Sequence, residues 1–97
     1  MVTEVADIHV TPGTEDEFVA AYRSAHHVLA TTPGCRTVRM THCVETPNRF
    51  VLLVEWDDVE AHLNNFRATE RFTTWRAAIG RFFAEPPLVE HFETVEP

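Results

Sequence analysis

The sequence predicts an α+β domain of the ferredoxin-like type, with one antiparallel four-stranded sheet and helices on one face of it. The elements follow in the order strand, helix, strand, strand, helix, strand, which is the split βαβ arrangement. The third strand, Arg49 to Trp56, carries apolar residues that point to both sides of the sheet. Because the helices of a chain of 97 residues cover one face only, we expect a second copy to cover the other. The predicted assembly is therefore a homodimer through its sheet faces.

The first half of the chain predicts a strand, a helix and a second strand. Val2 to Val10 alternates loosely in polarity and ends at Thr11-Pro12-Gly13, as a strand does before a turn. Thr14 and Glu17 have the spacing of a capping box at a helix start. Apolar residues then recur at helical spacing, namely Phe18, Ala21, Tyr22, Ala25, Val28 and Leu29. Cys35 to Val44 is the predicted second strand.

The second half predicts the remaining strands and helices of a single domain that spans residues 1–97. Asp57 is the expected cap of the helix after the third strand, with Glu60 in the position of its capping-box partner. Thr69 is expected to cap a further helix. The apolar stripe of that helix is Phe72, Trp75, Ile79, Phe82 and Phe83. Leu88 to Val95 predicts the last strand.

Composition excludes several classes of partner and predicts a cytoplasmic protein. The formal net charge of −7 disfavours nucleic acids and anionic membranes, since both require a basic face. The longest apolar run is far too short to span a bilayer, and no secretory signal is visible. Cys35 and Cys43 would lie about 26 Å apart on one strand, too far for a disulfide.

The six histidines do not predict a metal site. His26 and His27 point about 100° apart on a helix and do not form a ligand pair. His42 and His91 would lie on opposite edges of the sheet, about 14 Å apart. His9 and His91 are candidate neighbours, but two ligands without a third are weak grounds for a metal. We expect no metal, and no glycine-rich phosphate loop is present.

Four segments together resemble the antibiotic biosynthesis monooxygenase family. They are Pro33-Gly34-Cys35, Trp56 to His62, the helix around Phe72, and Pro86 to Phe92. The resemblance covers nearly the whole chain and implies a dimeric α+β barrel. That family includes cofactor-independent oxygenases acting on polyketide anthrones or quinols, haem-degrading oxygenases, and members with no known reaction.

Similarity to the haem-degrading branch would imply three residues that this chain lacks. That branch has an Asn on the first strand, a Trp on the helix after the third strand and a His ligand on the last helix. The corresponding positions here are Ala6, Asn65 or Phe66, and Arg76. An arginine stays protonated and cannot serve as an axial ligand. Haem degradation is therefore not expected, and a haem-binding member with an unusual ligand is the remotest alternative.

Similarity to the anthrone-oxidising branch is closer. That branch has a Trp at the end of the third strand, a Tyr six residues later and an Arg on the last helix. Trp56 and Arg76 match this pattern, His62 stands in place of the Tyr, and Leu52 replaces an Asn found four residues before the Trp. The resemblance implies oxidation of an aromatic polyketide or quinol-like molecule with O2 and without a cofactor.

The residues that we expect to perform this chemistry are Trp56, His62 and Arg76. Arg76 would stabilise the substrate anion, His62 would take its proton, and Trp56 would stack on the ring or hydrogen-bond a carbonyl. Tyr22, Asn65, Phe66 and Phe72 are the expected substrate-binding wall.

Each of the three catalytic candidates also has a purely structural interpretation. Trp56 could fill the core, Arg76 could form a surface ion pair, and His62 could be a solvated surface side chain. Trp75 is expected in the core. The alternative function is a non-oxidising ligand-binding or cyclase-like protein on the same scaffold.

Overall fold

Four strands form one antiparallel sheet in the order β2-β3-β1-β4. A computed structural model describes residues 1–97. The strands are β1 (Val2–His9), β2 (Cys35–His42), β3 (Arg49–Trp56) and β4 (Leu88–Phe92). Since β1 pairs with both β3 and β4, the two edges are β2 and β4. This arrangement confirms the predicted ferredoxin-like fold.

The helices lie on one face of the sheet. They are α1 (Glu15–Ala30), α2 (Val59–His62) and α3 (Glu70–Ile79). A π-helical turn, Leu63–Arg67, joins α2 to α3, and a 3-10 turn, Gly80–Phe82, follows α3. π-Helical turns often occur at functional sites, because they rotate one side chain out of the regular helical pattern.

The hydrophobic core lies between the helices and every second residue of the two central strands. The buried sheet residues are Ala6, Ile8, Phe50, Leu52, Val54 and Trp56. The helices contribute Phe18, Leu29, Trp75 and Ile79. Phe18 packs against Phe50 with ring centroids 4.7 Å apart. Burial of these side chains at about 25 cal/mol per Å² fixes the helices on the sheet.

The opposite face of the sheet carries apolar side chains that remain partly exposed. Val5 lies across from Leu53, and Asp7 from Val51, so these residues share that face. Val5, Val51 and Leu53 are half-buried, and Phe92 on the same face is 50% exposed. The second apolar face of β3, which the sequence predicted, is therefore not covered by the helices.

Of the three predicted helix caps, Thr14 has the right position without the predicted side-chain bond, Asp57 is wrong, and Thr69 is right. The Thr14 side chain makes no cap bond; its hydroxyl instead donates to the Thr11 carbonyl at 2.6 Å, because its backbone is not extended as a capping residue requires. The cap of α2 is Asp58, whose carboxylate accepts from the Ala61 amide at 2.8 Å. Asp57 pairs with Arg36 instead. The predicted cap at Thr69 is confirmed by its bond from the Arg71 amide.

Three strand ends also differ from the prediction. β1 ends at His9, β2 at His42 and β4 at Phe92, each shorter than the apolar pattern suggested. Val10 is left as an isolated bridge to Phe83. Strand ends of this kind are decided by where a partner strand stops offering hydrogen bonds.

Candidate functional site

A cavity of about 750 Å³ lies between the covered face of the sheet and α3. Its walls are largely apolar, with Ala6, Ile8 and Leu52 from the sheet and Phe66, Phe72, Trp75 and Ile79 from the helices. The segment after the 3-10 turn, residues 83–89, closes one side. A mostly apolar space of this size is typical of small-molecule sites.

Two buried titratable side chains, Glu4 and His62, line this apolar cavity. Glu4 is 6% exposed and His62 is 1% exposed. The alternation of β1 places Glu4 on the same face as Ala6 and Ile8. The cap at Asp58 begins α2 so that His62 stacks on Trp56, with ring centroids 4.9 Å apart. Buried groups of this kind require partners.

Glu4, His62 and two further residues form a contiguous polar cluster. The Trp56 indole N–H donates to Glu4 Oε1 at 2.9 Å. His62 Nε2 lies 3.3 Å from the same oxygen. On its other side, His62 Nδ1 is hydrogen-bonded to His91 Nε2 at 2.7 Å. His91 is available there because β4 places it directly across from Glu4. We name these four residues the Glu4 cluster.

Burial shifts the pKa values of both cavity groups in the direction that favours their neutral forms. It raises the pKa of Glu4, and the Trp56 hydrogen bond and the charge of Arg67 oppose that rise. Burial lowers the pKa of His62 to about 4, and the electrostatic effects of His91 and Arg67 add to this lowering. His62 is therefore neutral at pH 7.

The cationic groups of the cavity are Arg67 and Arg76. Both approach Phe72, with their guanidinium carbons 4.6 Å and 5.8 Å from its ring centroid. The arginine ion pairs of this chain are made elsewhere, by Arg36 and Arg49. Arg76 thus does not form the surface ion pair considered above, and its charge is available to a ligand.

The structure brings four of the predicted site residues to the cavity. His62, Arg76, Phe66 and Phe72 all line it. The interpretation of His62 as a solvated surface residue is wrong, since it is almost fully enclosed. Trp75 is in the core, as expected, and also forms part of the cavity wall.

The other three predicted residues lie outside the cavity lining. Trp56 is fully buried beneath His62, and Glu4 occupies its indole N–H, so that group is not free for a substrate carbonyl. Tyr22 packs edge-on against Trp75. Asn65 donates to the Pro33 carbonyl, away from the cavity.

Sequence reasoning missed Glu4, Arg67 and the role of His91. Glu4 had a detectable signal, because it is the single charged residue at the even positions of β1, which are otherwise apolar. Arg67 and His91 had none. The expected proximity of His9 and His91 is wrong: His91 lies opposite Glu4, whereas His9 lies at the far end of β1 opposite Arg49.

Together, the sheet order and the cavity define a ferredoxin-like α+β domain with a space of small-molecule size beside its sheet. The sequence model of the antibiotic biosynthesis monooxygenase family matches residues 1–78. This chain belongs to that family. None of its helices has the length and apolarity that crossing a membrane requires.

This chain is similar in sequence or in fold to proteins of similar length. A candidate antibiotic biosynthesis monooxygenase from Bordetella bronchiseptica is 37% identical, with a TM-score of 0.94 and coverage of 98% of this chain and 97% of the other. The uncharacterized protein YczJ of Bacillus subtilis is 37% identical over 95 residues, covering 98% of this chain and all of its own length. A Nitrosomonas europaea structure with 21% identity and a TM-score of 0.83, covering 99% of this chain and 100% of its own, shows the fold alone.

Proposed function

We propose that this protein is a cofactor-independent monooxygenase that oxidises a small anthrone- or quinol-like aromatic with O2. The observation that carries the proposal is a single apolar cavity that holds a buried carboxyl–imidazole pair and unpaired guanidinium groups. Such a set supplies a proton acceptor, a site for an anion and a wall that excludes water.

The proposed reaction draws all four of the electrons that reduce O2 from the substrate. Loss of a proton from the activated carbon of an anthrone gives an anion that reduces O2, and the two radicals combine into a C–O bond. The resulting hydroperoxide loses its second C–H proton, its O–O bond breaks, and water leaves. One oxygen atom remains as the new ketone and the other is in the water, so no further reductant is required.

The cavity residues support each requirement of this sequence. The Glu4–His62 pair lies where a substrate proton could be taken up, and His62 is uncharged at pH 7 because burial holds its pKa near 4. The fixed charge of Arg76 favours the substrate anion and the superoxide beside it. Phe66, Phe72 and Trp75 offer apolar surfaces on which an aromatic ring can pack.

A homodimer through the uncovered sheet faces is the second part of the proposal. An apolar surface lies there, formed by Val5, Val51, Leu53 and Phe92. Burial of this surface in a dimer would stabilise so small a domain. The salt-bridged pair of Asp7 and Arg49 lies on the uncovered face of the sheet, and we place it at the rim of the interface.

Oxygen uptake with 1,8-dihydroxyanthrone and with a reduced quinol tests the activity. We expect one O2 consumed per anthrone, the anthraquinone as product, and no oxygen returned when catalase is added, because a monooxygenase releases water. Arg76→Ala should lower kcat/KM at least tenfold. Arg23→Ala, on the exposed side of α1, is the matched control and should leave the rate unchanged.

Two results would contradict the proposal in different ways. Return of half the oxygen with catalase would indicate an oxidase that makes H2O2. Saturable anaerobic binding of the anthrone without any oxygen uptake above the protein-free rate would favour the alternative, a non-oxidising binding protein on this scaffold.

A further inference from the structure

We infer that Glu4 is the residue that takes the substrate proton, and that His62 and His91 relay this proton towards the edge of the sheet at β4. The assignment to substrate rests on the proposed function. The relay itself is a property of the protein that can be measured without any substrate.

Glu4 presents the free acceptor atom of the cluster. Its Oε1 accepts from Trp56 and faces His62 Nε2, whereas its Oε2 has no hydrogen-bond partner in the protein. Every fully buried side-chain oxygen of the chain has a hydrogen-bond partner. Because Oε2 has none, it is not fully buried, and it is open to the cavity that Glu4 lines. A carboxylate oxygen in this position can contact a substrate directly.

His62 is less well placed to contact substrate itself. Its Nδ1 is hydrogen-bonded to His91, and its Nε2 points at Glu4 Oε1 from 3.3 Å. A substrate that approached Nε2 would have to displace the carboxylate. Both ring nitrogens are instead placed to hand a proton from Glu4 to His91, which is the arrangement of a relay.

The proton path has three steps. The substrate proton binds at Glu4 Oε2, and a half-turn of the carboxyl group brings it opposite His62 Nε2, while the other oxygen accepts from Trp56. Nε2 takes this proton as the Nδ1 proton of His62 passes to His91 Nε2 over 2.7 Å, which requires the His62 tautomer protonated at Nδ1. His91 is half-buried on the edge strand β4, and its Nδ1 releases a proton to water. Removal of the proton from Glu4 keeps the substrate anion from being reprotonated before O2 reacts. The same path returns the proton when the peroxide oxygen leaves as water.

The other titratable groups around Glu4 do not offer a competing path. From β2, burial and the proximity of Glu4 raise the pKa of the Cys35 thiol to about 11, so it stays neutral at pH 7. Arg67, which precedes α3, contributes a fixed positive charge that favours the ionised carboxylate. The remaining neighbours of Glu4 are His62 on α2 and His91 on β4, which are the members of the relay.

Histidine ring ¹⁵N spectra of the substrate-free protein test the relay from pH 4 to pH 8. We expect neutral His62 in one dominant tautomer over most of this range. Glu4→Gln and His91→Asn should each shift the His62 ring resonances, and His27→Asn, on the exposed side of α1, should not. Rapid tautomer averaging at His62 that neither variant alters would overturn the relay.

Oxidation of 1,8-dihydroxyanthrone tests the assignment of Glu4. Glu4→Gln should lower kcat by about 10²- to 10⁴-fold with little change in KM, the range for loss of a general base. His91→Asn should lower kcat about tenfold, and added imidazole should restore part of it, whereas His27→Asn should leave the rate unchanged. Circular dichroism checks that each variant folds.

The outcomes separate this inference from the proposed function. A folded Glu4→Gln variant that keeps kcat within threefold of wild type would overturn Glu4 as proton acceptor and leave the oxygenase proposal intact. Wild-type protein inactive with both probes would overturn the oxygenase proposal and Glu4's role in it, while the ring spectra would still decide the relay.

Discussion

The indole nitrogen of Trp56 donates to the carboxylate of Glu4 across 2.9 Å, joining the end of β3 to the start of β1 beneath the cavity. The two residues lie close in the sheet because Val2 is the β1 partner of Trp56. A carboxyl group that is 6% exposed requires such a donor, since water cannot replace it. Trp56 thus acts on the cavity through Glu4 rather than by contact with a ligand.

Replacement of Trp56 by Phe should lower the free energy of unfolding by more than the loss of buried ring area accounts for, because the hydrogen bond to Glu4 is lost as well. We expect the Trp56→Phe and Glu4→Leu changes, each of which removes one partner, to show a coupling energy of about 1.5–3 kcal/mol in a double-mutant cycle, as for hydrogen bonds to charged groups. Urea unfolding at pH 7 measures it. Additive single-variant effects within about 0.5 kcal/mol would show that the hydrogen bond contributes no net stability.

Acidification should destabilise the protein through His62. Its folded pKa is about 4 and its ordinary value 6.5, so the unfolded chain binds a proton first as the pH falls. The stability lost between pH 6.5 and pH 4 should reach at most about 3 kcal/mol, at 1.36 kcal/mol per pKa unit. Urea unfolding across this range measures it, and His27→Asn should leave the profile unchanged.

Glu4 should oppose this trend in the wild-type protein. Its folded pKa is raised, so its contribution to stability is fully present below its ordinary pKa and is lost as the pH rises through the folded value. The two effects overlap above about pH 4.5. Glu4→Gln removes the opposing effect and should steepen the loss of stability on acidification. A shallower profile in that variant would contradict the opposed shifts.

Alanine should be far less tolerated at Gly34 than at Gly13. Both glycines have positive φ, +87° and +96°, which alone costs an alanine about 1–2 kcal/mol. A Cβ at Gly34 would lie 2.6 Å from the Cβ of Ala61, the residue before His62 on α2, whereas Gly13 has open space. We expect Gly34→Ala to cost about 1–3 kcal/mol more than Gly13→Ala. Equal midpoints in urea unfolding would disprove the close packing.

Charge on the uncovered sheet face should abolish the proposed dimer. Leu53→Glu introduces a carboxylate at the centre of that face, where burial without a partner is costly. Light scattering after size-exclusion chromatography at micromolar concentration should give a dimer for wild type and a monomer for Leu53→Glu. Ala20→Glu, on the exposed side of α1, should remain dimeric. A monomeric wild-type protein would refute the interface.

The sequence by itself determined the fold of this protein. The apolar alternation of β1 and β3, the helical spacing from Phe18 onward and the breaks at Pro33-Gly34 and Pro86-Pro87 are local patterns that depend on near neighbours. They therefore predicted the element order, and the order predicted the sheet. The helix starts were harder to predict from the sequence. Asp57 and Asp58 are chemically alike, and the ion pair of Asp57 with the distant Arg36 leaves Asp58 to cap α2.

Only the tertiary structure decided the chemistry of the cavity. Glu4, His62 and His91 come from three elements, and the register of β1 with β4 is what places His91 against His62. The same packing turns His62 from an apparent surface residue into a buried neutral imidazole and turns Trp56 from an expected ligand contact into the partner of Glu4. Contacts between residues so far apart in the chain leave no periodic trace, since each depends on how whole elements pack.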